Sequence, residues 1–413
     1  MERFTTAIIG GGASGLILAS SLENNEKTVL LERGERVGKK LSSTGNGQGN
    51  ITNLSVLEAE YFSQTQNSEE KIKKILSAYD NKSLIETLKG LGVLTIADER
   101  GRVYPASRQA SALTDALRFY VAQKGVDVRL CSKVTSIEKT AQGFVITVET
   151  PEGSQRLSAE NVALCAGGKA AKNFGTDGNG YALAQLLGHT VTPLYPSLVQ
   201  LKTDTAHIKT LKGIRVNNGG LTATWRTKTG EKRISLQGDV IFTEYGISGD
   251  AVFRISAFIT GEIAKTDVTV TLDFLPDHTE EEIYQTLLQK RQTFPDQSIG
   301  ELLCGIVNNQ IGRAIFKRAE NDLRKGAALT KRFSLNVTGS LGFDYAQVTK
   351  GGVPLNETDG DLQSVSQTGL YFAGELLDVD GQCGGFNLQW AYSSARTVAA
   401  AIDERTRAQS KKR

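Results

Sequence analysis

The sequence predicts an α/β protein in which both ends of the chain build one parallel-sheet unit, interrupted by an α+β insert. Three observations predict it. A strand, a glycine turn, a helix and a second strand open the chain at residues 7–32. A strand that stops at a glycine and an acid, residues 369–375, closes it together with a glycine-rich loop and an Ala-rich helix. Between them, from about 191 to 344, short β-like runs with turns give way to helical periodicity.

The opening unit reads Ala7-Ile8-Ile9, then Gly10-Gly11-Gly12-Ala13-Ser14-Gly15, then Leu16-Ile17-Leu18-Ala19, with Thr28-Val29-Leu30-Leu31 ending at Glu32. That order is the context in which G-x-G-x-x-G binds a dinucleotide. Gly10 permits the tight turn, Gly12 lets a pyrophosphate approach the backbone, and Gly15 lets the helix lie close on the sheet. The helix N-terminus offers N–H groups and partial positive charge to phosphates. Glu32 is placed to accept hydrogen bonds from ribose hydroxyls and would repel a 2′-phosphate. The plain alternative is a strand–loop–helix whose glycines bind nothing. Four glycines in six positions, with strand, helix and acid all in place, count against it.

Residues 33–53 are polar and glycine-rich, with Lys39, Lys40, Thr44, Gly45, Asn46 and Asn50. Beside a phosphate site such a loop wraps the cofactor's second phosphate and sugar alcohol; elsewhere it is only a connection. Residues 68–92 have helical periodicity, at Ile72, Ile75, Leu76 and Tyr79 and then, after Asp80-Asn81, at Leu84, Ile85, Leu88 and Leu91, and Gly90 and Gly92 end the pattern. A β-hairpin is expected over 93–104, turning at Asp98-Glu99-Arg100-Gly101, then a helix over 112–123 and a strand over 126–130. Residues 134–138 and 144–149, with a turn at Pro151-Glu152-Gly153, form a small antiparallel unit. Residues 161–168 read as a further strand of the parallel sheet, returning to the nucleotide crevice at Ala166 and Gly167, with Cys165 as a small core residue. A helix follows over 181–187. Residues 190–270 read as antiparallel strands, possibly a barrel, with turns at Asn217-Asn218-Gly219-Gly220 and Lys228-Thr229-Gly230. Residues 278–326 turn helical and 333–337 strand-like. The last segment carries Gly374-Glu375, the loop 378–387 and a helix over 388–402. A carboxylate and a helix N-terminus again face sugar hydroxyls and a polar ring edge. Contacts at both ends of the chain require a cofactor longer than one nucleotide, and FAD fits better than NAD.

Composition narrows the class. The 413 residues suggest two or three domains, 39% are apolar, and no uninterrupted apolar run approaches a membrane span. Glycines break the apolar segment at 7–19, so neither a secretory leader nor a membrane protein is expected. The net charge is +3, and residues 402–413 hold five basic and two acidic side chains. The body is therefore neutral, which argues against nucleic acid as partner, and the basic tail reads as a solvated end. Cys131, Cys165, Cys304 and Cys383 lack any metal-ligand spacing, so no metal is expected. Unpaired thiols suit a reducing cytoplasm. His189, His207 and His278 stand apart and read as surface or cap residues. Chemistry must come from a cofactor.

Further motifs carry a family likeness: Gly38-Lys39-Lys40-Leu41, Thr44-Gly45-Asn46-Gly47, Asn50-Ile51-Thr52-Asn53, Gly101-Arg102-Val103-Tyr104-Pro105, Phe242-Thr243-x-Tyr245-Gly246-Ile247-Ser248-Gly249, and Gly384-Gly385-Phe386-Asn387-Leu388-Gln389-Trp390-Ala391. With the opening fingerprint, they make the chain similar, over essentially its whole length, to the aminoacetone-oxidase-like flavoproteins. Relatives of that family include bile-acid-pathway flavin reductases. The resemblance implies a two-part Rossmann-like FAD-binding domain, residues 1–190 and 345–413, interrupted by an insert or substrate domain at 191–344 made of an antiparallel β-barrel plus helices. It also implies that FAD is held by Gly10, Gly12, Ser14, Gly15, Glu32, Lys40, Thr44, Gly45, Gly374, Glu375, Asn387 and Leu388, with the Val134 backbone at the adenine. Ala13, Arg33, Leu41, Asn50, Ala166, Gly167, Asp380 and Gly385 complete the expected cofactor contacts. The family's Arg-Cys after the glycines is Gln48-Gly49 here, so a thiol or cation role at that spot is absent.

The expected function is an FAD-dependent oxidoreductase. It takes a hydride from a small organic substrate, an amine or amino ketone by the resemblance, and passes electrons to O₂ or another acceptor. The rival is an NAD(P)H-using reductase of enones, although no second strand–G-x-G-x-x-G–helix unit exists for a nicotinamide nucleotide. A non-enzymatic, RNA-associated flavin scaffold is a third reading, and composition gives it no basic patch. Tyr245, Tyr104 and Arg102 are candidates near the ring, each with a plain alternative as a turn residue. Cys383 lies in the loop expected near the flavin but has no partner cysteine in sequence.

Overall fold

The computed structural model describes residues 1–23 and 27–410. It divides into two compact units, one built from Met1–Tyr195 and the chain from Val348 onward, the other from Pro196–Gln347. Among the described residues no helix is long and apolar enough to cross a membrane.

In the first unit a seven-stranded sheet runs in the order Asp127–Arg129, Thr28–Leu31, Glu2–Ile9, Gly153–Leu164, Gly143–Thr150, Lys133–Thr140, with Leu370–Phe372 also pairing Gly153–Leu164. The long strand Gly153–Leu164 serves two partners on one side. Its first half pairs antiparallel with Gly143–Thr150, and its end pairs parallel with Leu370–Phe372. Register aligns the carboxyl ends of five parallel strands. Arg129 faces Leu31, Leu31 faces Ile9, Ile9 faces Leu164, and Leu164 faces Phe372. Gly10, Glu32, Cys165 and Ala373 therefore leave the sheet along one edge, where open α/β sheets bind ligands. Toward their carboxyl ends the central strands are apolar and buried, as strands covered on both faces are. Ile8, Val29, Leu30, Val162, Leu164 and Phe372 are fully buried. Each such side chain stabilises the fold by about 1.5–3 kcal/mol.

The helices follow their apolar spacing. Ile72, Ile75 and Leu76 face inward from Glu69–Ala78, and Leu113, Leu117 and Val121 from Ala110–Gln123. The helical periodicity over 68–92 divides at Asp80, whose carboxylate accepts the Ser83 N–H and starts a second helix, Asn81–Gly90. The last helix begins at Phe386 and reaches Ser410. The start of that tail is thus not solvated. Ile402 and Asp403 are buried, and Asp403 accepts the Glu23 N–H. Lys411, Lys412 and Arg413 lie outside the described residues.

The second unit is a closed antiparallel barrel in the order Leu201–Thr203, Gly246–Ser248, Gly230–Phe242, Arg215–Thr227, Val268–Asp273, Phe333–Ser340. Four helices accompany it, Asp250–Ile259, Glu280–Thr293, Asn309–Arg318 and Leu323–Lys331. Lys228 and Thr229 turn the long hairpin, with Thr227 opposite Gly230. The turn expected at 217–220 is instead a bulge inside Arg215–Thr227, with register shifting between Val216 and Gly219. The glycines there answer crowding: a Cβ on Gly219 would lie 2.9 Å from Val216, and one on Gly220 3.1 Å from Asp273. Helix does not run through 294–308, where Pro295, Gly300 and Gly305 interrupt it.

Candidate functional site

The aligned strand ends of the first unit form a crevice floored by the glycine turn. The three fingerprint glycines answer three separate demands. Gly10 has φ +106°, and a Cβ there would lie 2.6 Å from the Cys165 carbonyl oxygen. A Cβ on Gly15 would lie 1.9 Å from the Gly10 oxygen, so only glycine lets the helix sit this close. A Cβ on Gly12 would meet nothing within 4 Å. The space above Gly12 is open, and the helix Ala13–Ser21 starts there with no side-chain cap and no acid in its first turn. Amides of Ala13, Ser14 and Gly15 with open space before them suit a pyrophosphate.

Glu32 ends the second strand with its carboxylate fixed by backbone. Gly11 N–H donates to Oε2 at 2.8 Å and Gly34 N–H to Oε1 at 2.7 Å. Each oxygen keeps a second lone pair for a hydroxyl. Arg33 pairs with Asp177 at 2.6 Å and donates to the Gly175 carbonyl, so its cation is held against the 175–177 loop.

The two ends of the chain meet at Lys40. Its Nζ lies 2.8 Å from Glu375 Oε2, and Thr349 N–H donates to Glu375 Oε1 at 2.9 Å. Leu41 is buried, and the Thr44 hydroxyl donates to the Leu41 carbonyl. Gly45 has φ +58°, and a Cβ there would touch the Asn50 nitrogen at 2.9 Å. The Asn50 amide nitrogen is committed to the carbonyls of Thr52 and Val103, leaving its Oδ1 for a cofactor. Val134 sits in the ladder opposite Val148, just before a register shift, with its carbonyl 3.5 Å from Asn179 Nδ2. Ala166 and Gly167 follow the central strand, and the helix Asn179–Leu186 packs so close that a Cβ on Gly180 would lie 2.7 Å from Ala166.

Gly374 locks the last strand to two helices. A Cβ on it would lie 2.6 Å from Ser14 Oγ; its N–H donates to Ser394 Oγ, and Trp390 Nε1 donates to its carbonyl. Asp380 is buried and pairs in a short ladder with Phe62. Gly385 has φ +100° and rests on Thr52, whose oxygen would be 2.4 Å from a Cβ. Asn387 closes the loop before the last helix, accepting the Gly381 N–H and donating to the Gly381 carbonyl, both at 2.8 Å. Leu388, with Ala13, Leu41 and Ile51, lines a small apolar cavity.

The candidates for direct chemistry fare differently. Arg102 braces its hairpin, with Nε 2.8 Å from Asp98 Oδ2, and that bond helps hold the Asp98 carboxyl below its usual range although partial burial opposes it. Tyr104 is 6% exposed, with Arg108 stacked 4.5 Å over its ring, and burial raises its hydroxyl. Tyr245 belongs to the second unit, in the loop between Gly230–Phe242 and Gly246–Ser248, where its carbonyl accepts the Thr203 N–H. Burial pushes the Cys165 thiol to about 12, so it is no reagent. None of the four cysteines is in a disulfide.

His189 departs from the surface reading. It is 5% exposed, with Nδ1 2.8 Å from Glu357 Oε2, Nε2 2.9 Å from Ser364 Oγ, and its ring edge-on to Phe372. Serine, histidine and acid stand in the order of a nucleophilic triad, but Ser364 is 3% exposed and accepts the Gln367 N–H. The three residues brace the approach to the last strand. Sequence reading also missed Thr349, whose hydroxyl accepts the N–H groups of Lys169 and Ala170, and Gln389, buried and bonded to Thr52 and Tyr79. A glutamine inside the apolar start of the last helix was the one signal available. Asp378 was also missed: it is buried, and burial raises its carboxyl despite several hydrogen bonds.

Residues 4–401 match the family described as HI0933-like protein Rossmann domain. The chain is 33% identical over 418 residues to the 3-dehydro-bile acid delta(4,6)-reductase of Clostridium scindens, covering 96% of this chain and 98% of that protein. It is 29% identical over 414 residues to the ribosomal RNA dihydrouridine synthase of Haemophilus influenzae, covering 96% and 97%. Among solved structures it is similar to 3-ketosteroid delta1-dehydrogenase from Sterolibacterium denitrificans, with TM-score 0.54, 13% identity and coverage of 98% and 100%. It is also similar to 3-ketosteroid-delta4-(5alpha)-dehydrogenase from Rhodococcus jostii RHA1, with TM-score 0.51, 16% identity and coverage of 97% of both chains. At such identities the structural likenesses show the fold.

Proposed function

The chain belongs to the HI0933-like Rossmann family of FAD-binding flavoproteins, and from that premise we propose that it is an FAD-dependent reductase of small molecules bearing a carbon–carbon double bond conjugated to a carbonyl. The observation that carries the reading is the 33% identity over 96% of the chain to a bile-acid delta(4,6)-reductase. The names of both kinds of relative describe saturation of a carbon–carbon double bond. Amine oxidation rests on the sequence resemblance alone, so the reductive direction stands first. A small molecule is preferred over RNA because the net charge is only +3, with five basic side chains in the last twelve residues.

FAD, when bound, supplies the hydride transfer. The chain's part is to bind, orient and polarise. The amides of the first helix and the open face of Gly12 hold the pyrophosphate, and Glu32 takes the ribose hydroxyls. Lys40 and Glu375, paired where the two ends of the chain meet, would hold the cofactor's polar middle, the lysine offsetting phosphate charge. Amides near Asn387 and Leu388, at the positive end of the last helix, stabilise negative charge on a polar ring edge.

The test is anaerobic stopped-flow on the purified yellow protein. Bleaching of the visible flavin band by NADH or NADPH, and its recovery on adding a 3-oxo-Δ4 steroid, is the expected result. Bleaching by an amine or amino ketone instead, with peroxide released on admitting O₂, would reverse the assignment.

A further inference from the structure

The loop that leads into the last helix is held by a strap from the front of the chain, residues 61–65. Phe62 and Tyr61 pair with Asp380 and Gly381. The Tyr61 hydroxyl donates to the Phe386 carbonyl at 3.0 Å, and the two rings meet edge to face at 6.3 Å. The third tie is Asp378. Its Oδ2 accepts three hydrogen bonds from the strap: Ser63 Oγ at 3.1 Å, Gln64 N at 2.9 Å and Thr65 Oγ1 at 2.8 Å. Its own N–H donates to Val353. Asp378 is fully buried, and its Oδ1 has no hydrogen-bond partner among the described residues.

We infer that Asp378 is a positioning residue for the flavin, fixing the loop 379–386, and through it the amides at the start of the last helix, by pinning that loop to the strap. The inference rests on the FAD reading above. A carboxylate buried with one oxygen unmatched is a poor choice for stability alone. An apolar side chain of that size would fill the site but would leave three strap donors without an acceptor. Convergence of all three on one oxygen fixes the strap in both position and direction. The loop it holds has little other freedom, since a Cβ on Gly381 would lie 2.9 Å from Phe386 and 3.0 Å from Tyr61. A shift of the strap therefore passes to Phe386 and Asn387.

The test compares wild type with D378A and D378N, reading FAD affinity by recovery of flavin fluorescence and ring environment by visible circular dichroism. D378A should raise the FAD dissociation constant by about tenfold or more and change the visible dichroism. D378N keeps an acceptor oxygen for the same donors and should return both toward wild type. Should D378A fail to fold, the S63A/T65V double variant removes two donors, leaves the carboxyl in place, and should weaken FAD about threefold. Wild-type affinity and dichroism in D378A, or in S63A/T65V where D378A does not fold, would overturn the inference while leaving the FAD reading intact. A wild-type protein that takes up no flavin would overturn the reading beneath it.

Discussion

Gly12 and Gly15 are three positions apart and ask opposite things of a methyl group. At Gly15 it would press on the Gly10 oxygen at 1.9 Å, so the helix must shift off the sheet. G15A should cost the apoprotein about 1–3 kcal/mol and weaken FAD as a consequence. At Gly12 the methyl enters open space. G12A should leave the apoprotein within about 1 kcal/mol of wild type yet raise the FAD dissociation constant, because the methyl takes the phosphate's place. Urea melts of both apoproteins beside flavin titrations separate the two; equal destabilisation would remove the distinction. At Asp378 the pH dependence has a fixed sign. Burial raises its folded-state pKa above the unfolded value, outweighing its hydrogen bonds. Its stabilising contribution is present below the unfolded pKa and is lost as pH rises through the folded one. D378N carries no ionisation, so its stability relative to wild type should improve from pH 4 toward pH 7 in urea melts. A constant difference would mean that the carboxyl is not raised. Two groups illustrate how far single residues could be read. The fingerprint glycines were legible because their spacing within six residues is itself the signal, even though the carbonyl that crowds Gly10 belongs to the distant Cys165. His189 was not, since its partners Glu357 and Ser364 lie 168 and 175 residues away.

At the scale of elements, local chemistry placed most boundaries and long-range packing moved the rest. Asp80 is an N-cap that divides the periodic run into two helices, at the Asp80-Asn81 pair across which the apolar spacing already skips. Asn217-Asn218-Gly219-Gly220 has turn composition, yet the glycines serve a bulge against Gly230–Phe242, with Val216 and, from the neighbouring strand, Asp273 crowding them. The last helix shows the same asymmetry. Its charged end looks solvated in sequence, but Ile402 and Asp403 are covered and Asp403 caps Glu23 N–H from 380 residues away. D403A should therefore destabilise the first unit by about 1–2 kcal/mol, as the loss of a hydrogen bond to a charged acceptor. A substitution at the exposed Glu404, E404A, should stay within about 0.5 kcal/mol. Equal melting of the two variants would show that the helix end contributes nothing.

For the whole molecule, the first unit is a sheet whose last strand arrives from beyond residue 347. Glu2–Ile9, Gly153–Leu164 and Leu370–Phe372 pair in parallel across very long sequence separations, which makes the sheet slow to complete. Lys40 and Glu375 are the side chains that report this closure, being 335 residues apart and in contact only when both ends are seated. At 24% and 19% exposure the pair is partly shielded, so its coupling should reach the upper part of the surface range, about 0.5–1 kcal/mol. A double-mutant cycle with K40M and E375Q on apoprotein unfolding measures it. Thr349 N–H is bound by Glu375 Oε1 and Lys40 by Oε2, so K40M leaves the Thr349 bond in place. Coupling within error of zero would show that the ends are held by the sheet and by their other ties, such as Tyr61–Phe386, Thr52–Gln389 and the strap on Asp378, without help from this pair. Coupling that grows when FAD is present would tie the closure of the two ends to occupation of the crevice between them.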